Sequence, residues 1–389
     1  MSDSRGADEP ADEPTSEERR TVQSELNKLR AFVTTMSPED LREGAWLGRL
    51  LGYSLGPYVH EVDAAYLEAR YPDQTADEII EARIRLAARY AGIEGGISAG
   101  AYTGAVAATI GSAGGASPLT LPAAAVSFVL DLLYVSSLQL RLAHDIAVLY
   151  QVPLDLKDPE DLLKLIRVAF AVKPAEARRG ALGKGIPALV RPILRRVLNG
   201  GTLAAAKTLP AIGKRLLQRN LIKFAIPAVG VPLSTAVNYW STRSAGHQAA
   251  ALFRREAAIA EAARQMTGAT VHHAELLWVL WLIVKSDALV HENERLLLRH
   301  VTALVSDPDS ELTALAALTS TVDVDEKLVW STLSAATDDL EALYDAGVVA
   351  AAVDGKINVN ELANLQKLAR CCGVTYDEKS IRAAAAAAA

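Results

Sequence analysis

The chain has 389 residues, half of them hydrophobic but only 5% aromatic, and a formal net charge of -6. That length allows two or three domains with real cores, and the apolar weight falls on Ala, Leu and Val, a helix-forming mixture. The only cysteines are the adjacent Cys371 and Cys372, which excludes a disulfide framework and fits a reducing cytosol.

The opening stretch, MSDSRGADEPADEPTSEERR, contains no apolar run, so no secretory signal is expected. Its charge and its repeated ADEP predict a disordered acidic tail over residues 1–20. Helical punctuation follows. Ser37 and Pro38 read as an N-cap and a first helical residue. Thr75 and Glu78 are spaced as a capping box, with Gly92 as the expected stop. Asp158 and Pro159 open another helix in the same way. Nowhere is there sustained alternation of apolar and polar residues joined by hairpin turns. The expected fold class is therefore all-α, with helical domains over residues 21–258 and 259–382 and a poly-Ala tail over 383–389.

Ile97–Leu130 holds 34 residues without a formal charge. About 20 apolar residues suffice to cross a bilayer. The first half is small and weakly apolar, however, and Pro118 and Pro122 are expected to interrupt the centre. The more apolar Leu119–Leu142 carries Asp131, which would cost about 3 kcal/mol in lipid. A buried helix pair is the expectation. Gly92, Gly96, Gly100 and Gly104 recur every fourth residue, a stripe along which two helix backbones can approach.

Inside the stripe, Gly96–Gly100 reads GISAG, which matches the nucleophile elbow and would make Ser98 the nucleophile. The region resembles the serine segment of patatin-like lipid hydrolases, with Asp354 and Gly355 castable as the partner. That chemistry needs a strand-to-helix turn beside an oxyanion hole. Here the preceding residues are helical in pattern. Packing of small residues is the favoured reading, and a lipid acyl hydrolase using Ser98 stands as the enzymatic alternative.

Charge is distributed unevenly. Lys164–Lys223 contains 14 Lys and Arg against the single acid Glu176, whereas His272–Arg382 contains 18 Asp and Glu against 9 Lys and Arg. Such a shift supports two domains. The basic stretch interleaves cations with aliphatic residues, as in IPALVRPILRRVLNGGTLAAAKTLPAIGKRLLQRNLIKF. Helices with one basic and one apolar face lie in the headgroup layer of anionic membranes, where each cation contributes about 1 kcal/mol. Lys184, Arg191, Arg195, Arg196, Lys207, Lys214, Arg215 and Arg219 are the candidate lipid contacts. Nucleic acid is not expected, because Phe224 is the only aromatic between Phe170 and Tyr239. A solvated basic surface over an ordinary core is the simpler alternative.

Two segments together carry a resemblance. SPLTLPAAAVSFVLDLLYVSSLQLRLAHDIAVLYQVPLDLKDPEDLLKLI contains Asp131, Arg141, Ile146-Ala147 and Tyr150. KFAIPAVGVPLSTAVNYWSTRSAGHQAAALFRRE contains Ile226-Pro227, Val229-Gly230 and Asn238. In this order they resemble the EcsC family of bacterial helical proteins, over roughly Leu41–Arg255. The resemblance implies a helical, membrane- and envelope-associated domain, with no catalytic residues to carry over.

Further on, SDALVHENERLLL is followed 67 residues later by VDGKINVNELANL. Asp287 then aligns with Asp354, Ala288 with Gly355, Val290 with Ile357, His291 with Asn358 and Glu294 with Glu361. Each copy lies between an apolar and an amphipathic helical stretch, so this part is an internal repeat of two helix-turn-helix units. It resembles the TerB-like family, named for tellurite-resistance proteins, over about Thr270–Ile381, departing only in Ala288. The resemblance implies a helical bundle whose acidic cluster binds metal in membrane-linked stress responses.

The residues themselves leave two readings of those carboxylates open. Asn358 and Glu361 form a capping box, imitated by His291 and Glu294, while Gly355 takes positive φ after Asp354. Alternatively Asp287, Glu294, Asp354 and Glu361 converge on a divalent cation, with hard oxygens suited to Ca²⁺, Mg²⁺ or Mn²⁺. Lys356 stands where an EF-hand loop needs an oxygen ligand. The combined expectation is a non-enzymatic cytoplasmic protein, peripheral on the inner membrane face, with a metal- or protein-binding acidic module. A purely structural scaffold is the alternative.

Overall fold

The computed structural model describes residues 13–111, 117–156, 158–170, 230–287, 291–305, 326–335 and 340–388. Every regular element among these residues is helical, and no strand occurs among them. The chain divides into two compact units, Met1–Phe253 and Arg254–Ala389.

The first unit opens earlier than the composition predicts. Helix α1 (Ser16–Val33) starts within the stretch expected to be a tail. Its start is a capping box: Glu18 N–H donates to Thr15 Oγ1 at 3.1 Å, and Thr15 N–H donates to Glu18 Oε2 at 2.9 Å. The acidic composition masked that local signal. Four short helices follow, α2 (Pro38–Glu43), α3 (Trp46–Leu55), α4 (Tyr58–Glu61) and α5 (Ala64–Arg70). The Ser37 hydroxyl caps α2, accepting from Asp40 N–H at 3.1 Å.

Two long helices form the centre of this unit, α6 (Ala76–Gly111) and α7 (Ser117–Leu149). The Thr75–Glu78 box starts α6 as expected, with Thr75 N–H donating to Glu78 Oε2 at 2.8 Å. Gly92, however, does not stop it; the helix runs on to Gly111. Nor do the prolines interrupt α7. Pro118 and Pro122 fall in its first two turns, and at Pro118 the missing N–H would have had no intrahelical acceptor in any case. Arg83 meets Asp145 near one end of the pair and Glu94 meets Asp131 further along, so α6 and α7 run antiparallel.

Helix α8 (Pro159–Ala169) begins at the predicted Asp158-Pro159 signal, and α9 (Gly230–Ala269) returns along α6. Ser234 faces Gly95 and Gly246 faces Ile84, which sets the two antiparallel. The apolar core includes Trp46, Leu50, Leu67, Ile84, Leu133, Ile146 and Phe253, each below 2% exposed. Burying each such side chain contributes about 1.5–3 kcal/mol. Val129–Leu149 is long and apolar enough to cross a membrane, but 78% of its apolar window is buried inside the protein.

The second unit takes in the end of α9 and then α10 (His273–Val284), a 3₁₀ turn over Lys285–Asp287, α11 (Glu292–Val305), α12 (Glu326–Ala335), α13 (Glu341–Ala352), α14 (Val359–Cys372) and α15 (Glu378–Ala388). Helix α10 is apolar on nearly all sides and forms the centre, with Leu276, Val279, Leu280 and Ile283 buried. Gly347 lets α13 close on it: an added Cβ would lie 2.8 Å from Leu368 and 3.3 Å from Val279. The alanines read as a tail belong to α15, where Ala385 is 5% exposed.

Candidate functional site

Two polar constellations stand out against these cores, one in each unit. The eight predicted lipid contacts, Lys184, Arg191, Arg195, Arg196, Lys207, Lys214, Arg215 and Arg219, lie outside the described residues.

In the first unit a polar seam is buried where α6, α7 and α9 meet. Glu94 on α6 is 0% exposed and Asp131 on α7 is 6% exposed. Asn238 on α9 bridges them, its Nδ2 donating to Asp131 Oδ1 at 2.6 Å and to Glu94 Oε2 at 3.3 Å. One turn along α6, the Ser98 hydroxyl donates to Glu94 Oε1. Burial, then the neighbouring Asp131 charge and a hydrogen bond to it, holds the Glu94 carboxyl well above the usual carboxylate range. On α7 and α9 the seam continues as a bond from Gln139 Nε2 to Thr242 Oγ1 at 3.3 Å.

This geometry explains the glycines differently from the sequence. The stripe predicts contact along Gly92, Gly96, Gly100 and Gly104. Gly92 has Tyr239 and Thr235 at ordinary contact distance, and a tighter backbone approach falls at Gly95, outside the stripe. A Cβ on Gly95 would lie 2.8 Å from the Ser234 carbonyl oxygen, whereas nothing lies within 4 Å at Gly100. The geometry also removes the elbow from Ser98. It lies inside the continuous helix α6, 5% exposed, with its hydroxyl turned to Glu94. A nucleophile elbow requires a sharp strand-to-helix turn, which this segment is not.

Towards the other end of the hairpin, Asp145 is buried with two partners. Its Oδ1 accepts from the Tyr58 hydroxyl at 2.7 Å, and its Oδ2 accepts from Arg83 Nη2 at 2.6 Å. Arg83 also reaches the Tyr58 oxygen at 3.1 Å, closing a triad. Arg141 covers the Tyr58 ring at 5.3 Å, and Tyr150 donates to Asp77 at 2.6 Å. Of the residues that carry the first resemblance, Asp131 and Asn238 are thus brought into direct contact.

The second unit holds the two repeated turns. Asn358 N–H donates to Glu361 Oε2 at 2.7 Å, and Glu361 N–H donates to Asn358 Oδ1 at 2.9 Å, a complete capping box. In the first copy His291 N–H donates to Glu294 Oε2, also at 2.7 Å. Asp354 Oδ1 accepts from Lys356 N–H at 2.8 Å, and Gly355 adopts φ 77° as the turn requires. His291 Nε2 lies 3.6 Å from Asp354 Oδ2. The Asp287 side chain is outside the described residues. Among the described residues no three His, Cys, Asp or Glu side chains gather as a metal site. Glu294 and Glu361 each direct one oxygen to a helix N-terminus instead.

A pair of asparagines completes the repeat. Asn293 Nδ2 donates to the Val353 carbonyl at 3.1 Å, and Asn360 Nδ2 donates to the Ser286 carbonyl at 3.0 Å. Asn293 and Asn360 are 67 residues apart, and so are Ser286 and Val353. Each copy therefore binds the backbone just ahead of the other copy's aspartate, a reciprocal clasp. The sequence reading passed over it, although aligning the two copies sets asparagine against asparagine. Behind the second turn, Gly355 and Ile357 line a shallow cavity of about 170 Å³ with Arg382, Ala385 and Ala386.

Comparison with family models, with curated proteins and with solved structures finds no match to this chain.

Proposed function

We propose that this chain is a non-enzymatic protein that rests on the anionic inner face of a membrane, with its second unit serving as a protein-binding module. The observation that carries the first half is the run of 14 cations against one acid among aliphatic residues over Lys164–Lys223. The second unit is the acidic counterpart, with 18 acids against 9 bases over His272–Arg382. Its turns clasp one another through Asn293 and Asn360, which supports a rigid partner-binding platform. Glu294 and Glu361 direct oxygens to backbone N–H groups, which favours a protein partner over a divalent cation. The likeness to EcsC and TerB-like proteins points the same way, towards an envelope or stress response.

Flotation with phosphatidylserine-containing and neutral liposomes at two salt concentrations tests the docking. Binding is expected to anionic vesicles only and to weaken with salt. Neutralising Arg191, Arg195 and Arg196 together should cost about 3 kcal/mol, roughly a hundredfold in partitioning. Binding indifferent to lipid charge and salt overturns the proposal.

A further inference from the structure

We propose that Glu94 and Asp131 form a proton-operated latch: a single proton held between the two carboxyls keeps α9 closed on the α6–α7 hairpin, and its loss loosens that packing. The seam has the parts a latch needs. Glu94 and Asp131 come from the two arms of the hairpin, and Asn238 on α9 donates to both at 3.3 and 2.6 Å. Both carboxyls are buried, Glu94 fully.

Among the described residues the groups that face the pair are few. From α6 there is Ser98, which donates to Glu94. Tyr90, a turn earlier on that helix, faces Glu18 and Glu25 of α1. From α7 there is Tyr134, whose hydroxyl is pushed up by burial, then by Glu25 and Glu94. Among the described residues no Lys or Arg pairs with either carboxyl. Among the described residues a second negative charge here would therefore meet only dipoles and other acids. Two carboxyls that share a site cannot both ionise without a strong penalty, which agrees with the raised position of Glu94.

The same pair lies beside a tight backbone contact. Gly95, the next residue, faces the Ser234 backbone so closely that a Cβ would sit 2.8 Å from its carbonyl oxygen. Repulsion between Glu94 and Asp131 would push on that contact first. The α9 segment at risk is Ser234–Gly246, which carries Asn238 and Thr242.

The direction of the pH effect follows from linkage. Below the ordinary glutamate value of 4.5 both folded and unfolded chains hold the Glu94 proton. Above it the unfolded chain releases that proton while the folded chain keeps it. Each pH unit then shifts the equilibrium about tenfold towards the unfolded form, until the buried acid itself ionises.

Two measurements on the full chain test this. Infrared spectroscopy at pH 7 should show the C=O stretch of a protonated, buried carboxylic acid, lost in Glu94→Gln. Hydrogen exchange by mass spectrometry, comparing wild type and Glu94→Gln at matched pH values, should show residues 234–246 losing protection with rising pH in wild type only. A variant with the same pH response as wild type, or no protonated-acid band in wild type at pH 7, overturns the latch. Burial also raises the Asp145 carboxyl, so a band is assigned to the pair by its loss in Glu94→Gln, whereas its absence from the wild-type protein overturns the latch even if the variant fails to fold.

Discussion

Glu94 in the first unit and Glu294 and Glu361 in the second are all buried, at 0%, 1% and 3% exposure, yet they are satisfied by opposite means. Glu361 and Glu294 stand in the first turn of a helix, where backbone N–H groups have no intrahelical partner. Each accepts such an N–H three residues back, at 2.7 Å, and the helix dipole favours its negative charge. Glu94 stands in the interior of α6, where every backbone N–H is already committed. It has to find side chains, and it finds Ser98 on its own helix, Asp131 on α7 and Asn238 on α9. Position within the helix thus decides whether a buried carboxyl is satisfied by backbone or by side chains.

The contrast can be broken or sharpened by substitution. The largest effect is expected in the first unit at Arg83→Ala, which leaves Asp145 buried with Tyr58 as its remaining donor. Stranding a buried charge costs about 3–5 kcal/mol, and denaturant unfolding should register it. A cost below 1 kcal/mol, estimated on the same basis, would show that the long-range triad contributes no more than a surface pair.

Next come the glycines. Gly95→Ala meets backbone atoms of Ser234 that cannot yield, so about 1–3 kcal/mol of overpacking strain is expected. Gly347→Ala in the second unit meets the tips of Leu368, Leu365 and Val279, which can rotate away. Its cost in thermal unfolding should be the smaller of the two.

The smallest effects belong to the local caps. Glu361→Ala removes the acceptor of the Asn358 N–H bond, and about 1–2 kcal/mol is expected. Asn358→Ala should cost about 1 kcal/mol. Circular dichroism during denaturation would follow both. If either cap outweighs Arg83→Ala, the ordering of local below long-range satisfaction is wrong.

How much was legible follows the same line. Ser37, Thr75 and the Asn358–Glu361 box could be read because a cap is a contact between residues three apart. Thr15 and Glu18 carry the same signal, obscured by the acidic composition around them. The Asn293–Asn360 clasp is half legible: matching residues appear when the copies are aligned, but their target carbonyls do not. Gly92 misled, because glycine in a helix marks either a stop or a close neighbour, and the neighbour is Tyr239, far along the chain.

By itself, then, the sequence determined the all-helical class, most helix starts, the repeated turns and the opposite charge of the two parts, all properties of composition or of residues within a turn of one another. Only the tertiary structure decided that α6 runs on through Gly92, that Gly95, outside the stripe, closely approaches the Ser234 backbone, and that Glu94 meets Asp131 under Asn238. Asn238 is 144 residues from Glu94 and 107 from Asp131. No local pattern records a contact of that span, because it comes into being only when the apolar faces of three helices close together and exclude water around the polar groups between them.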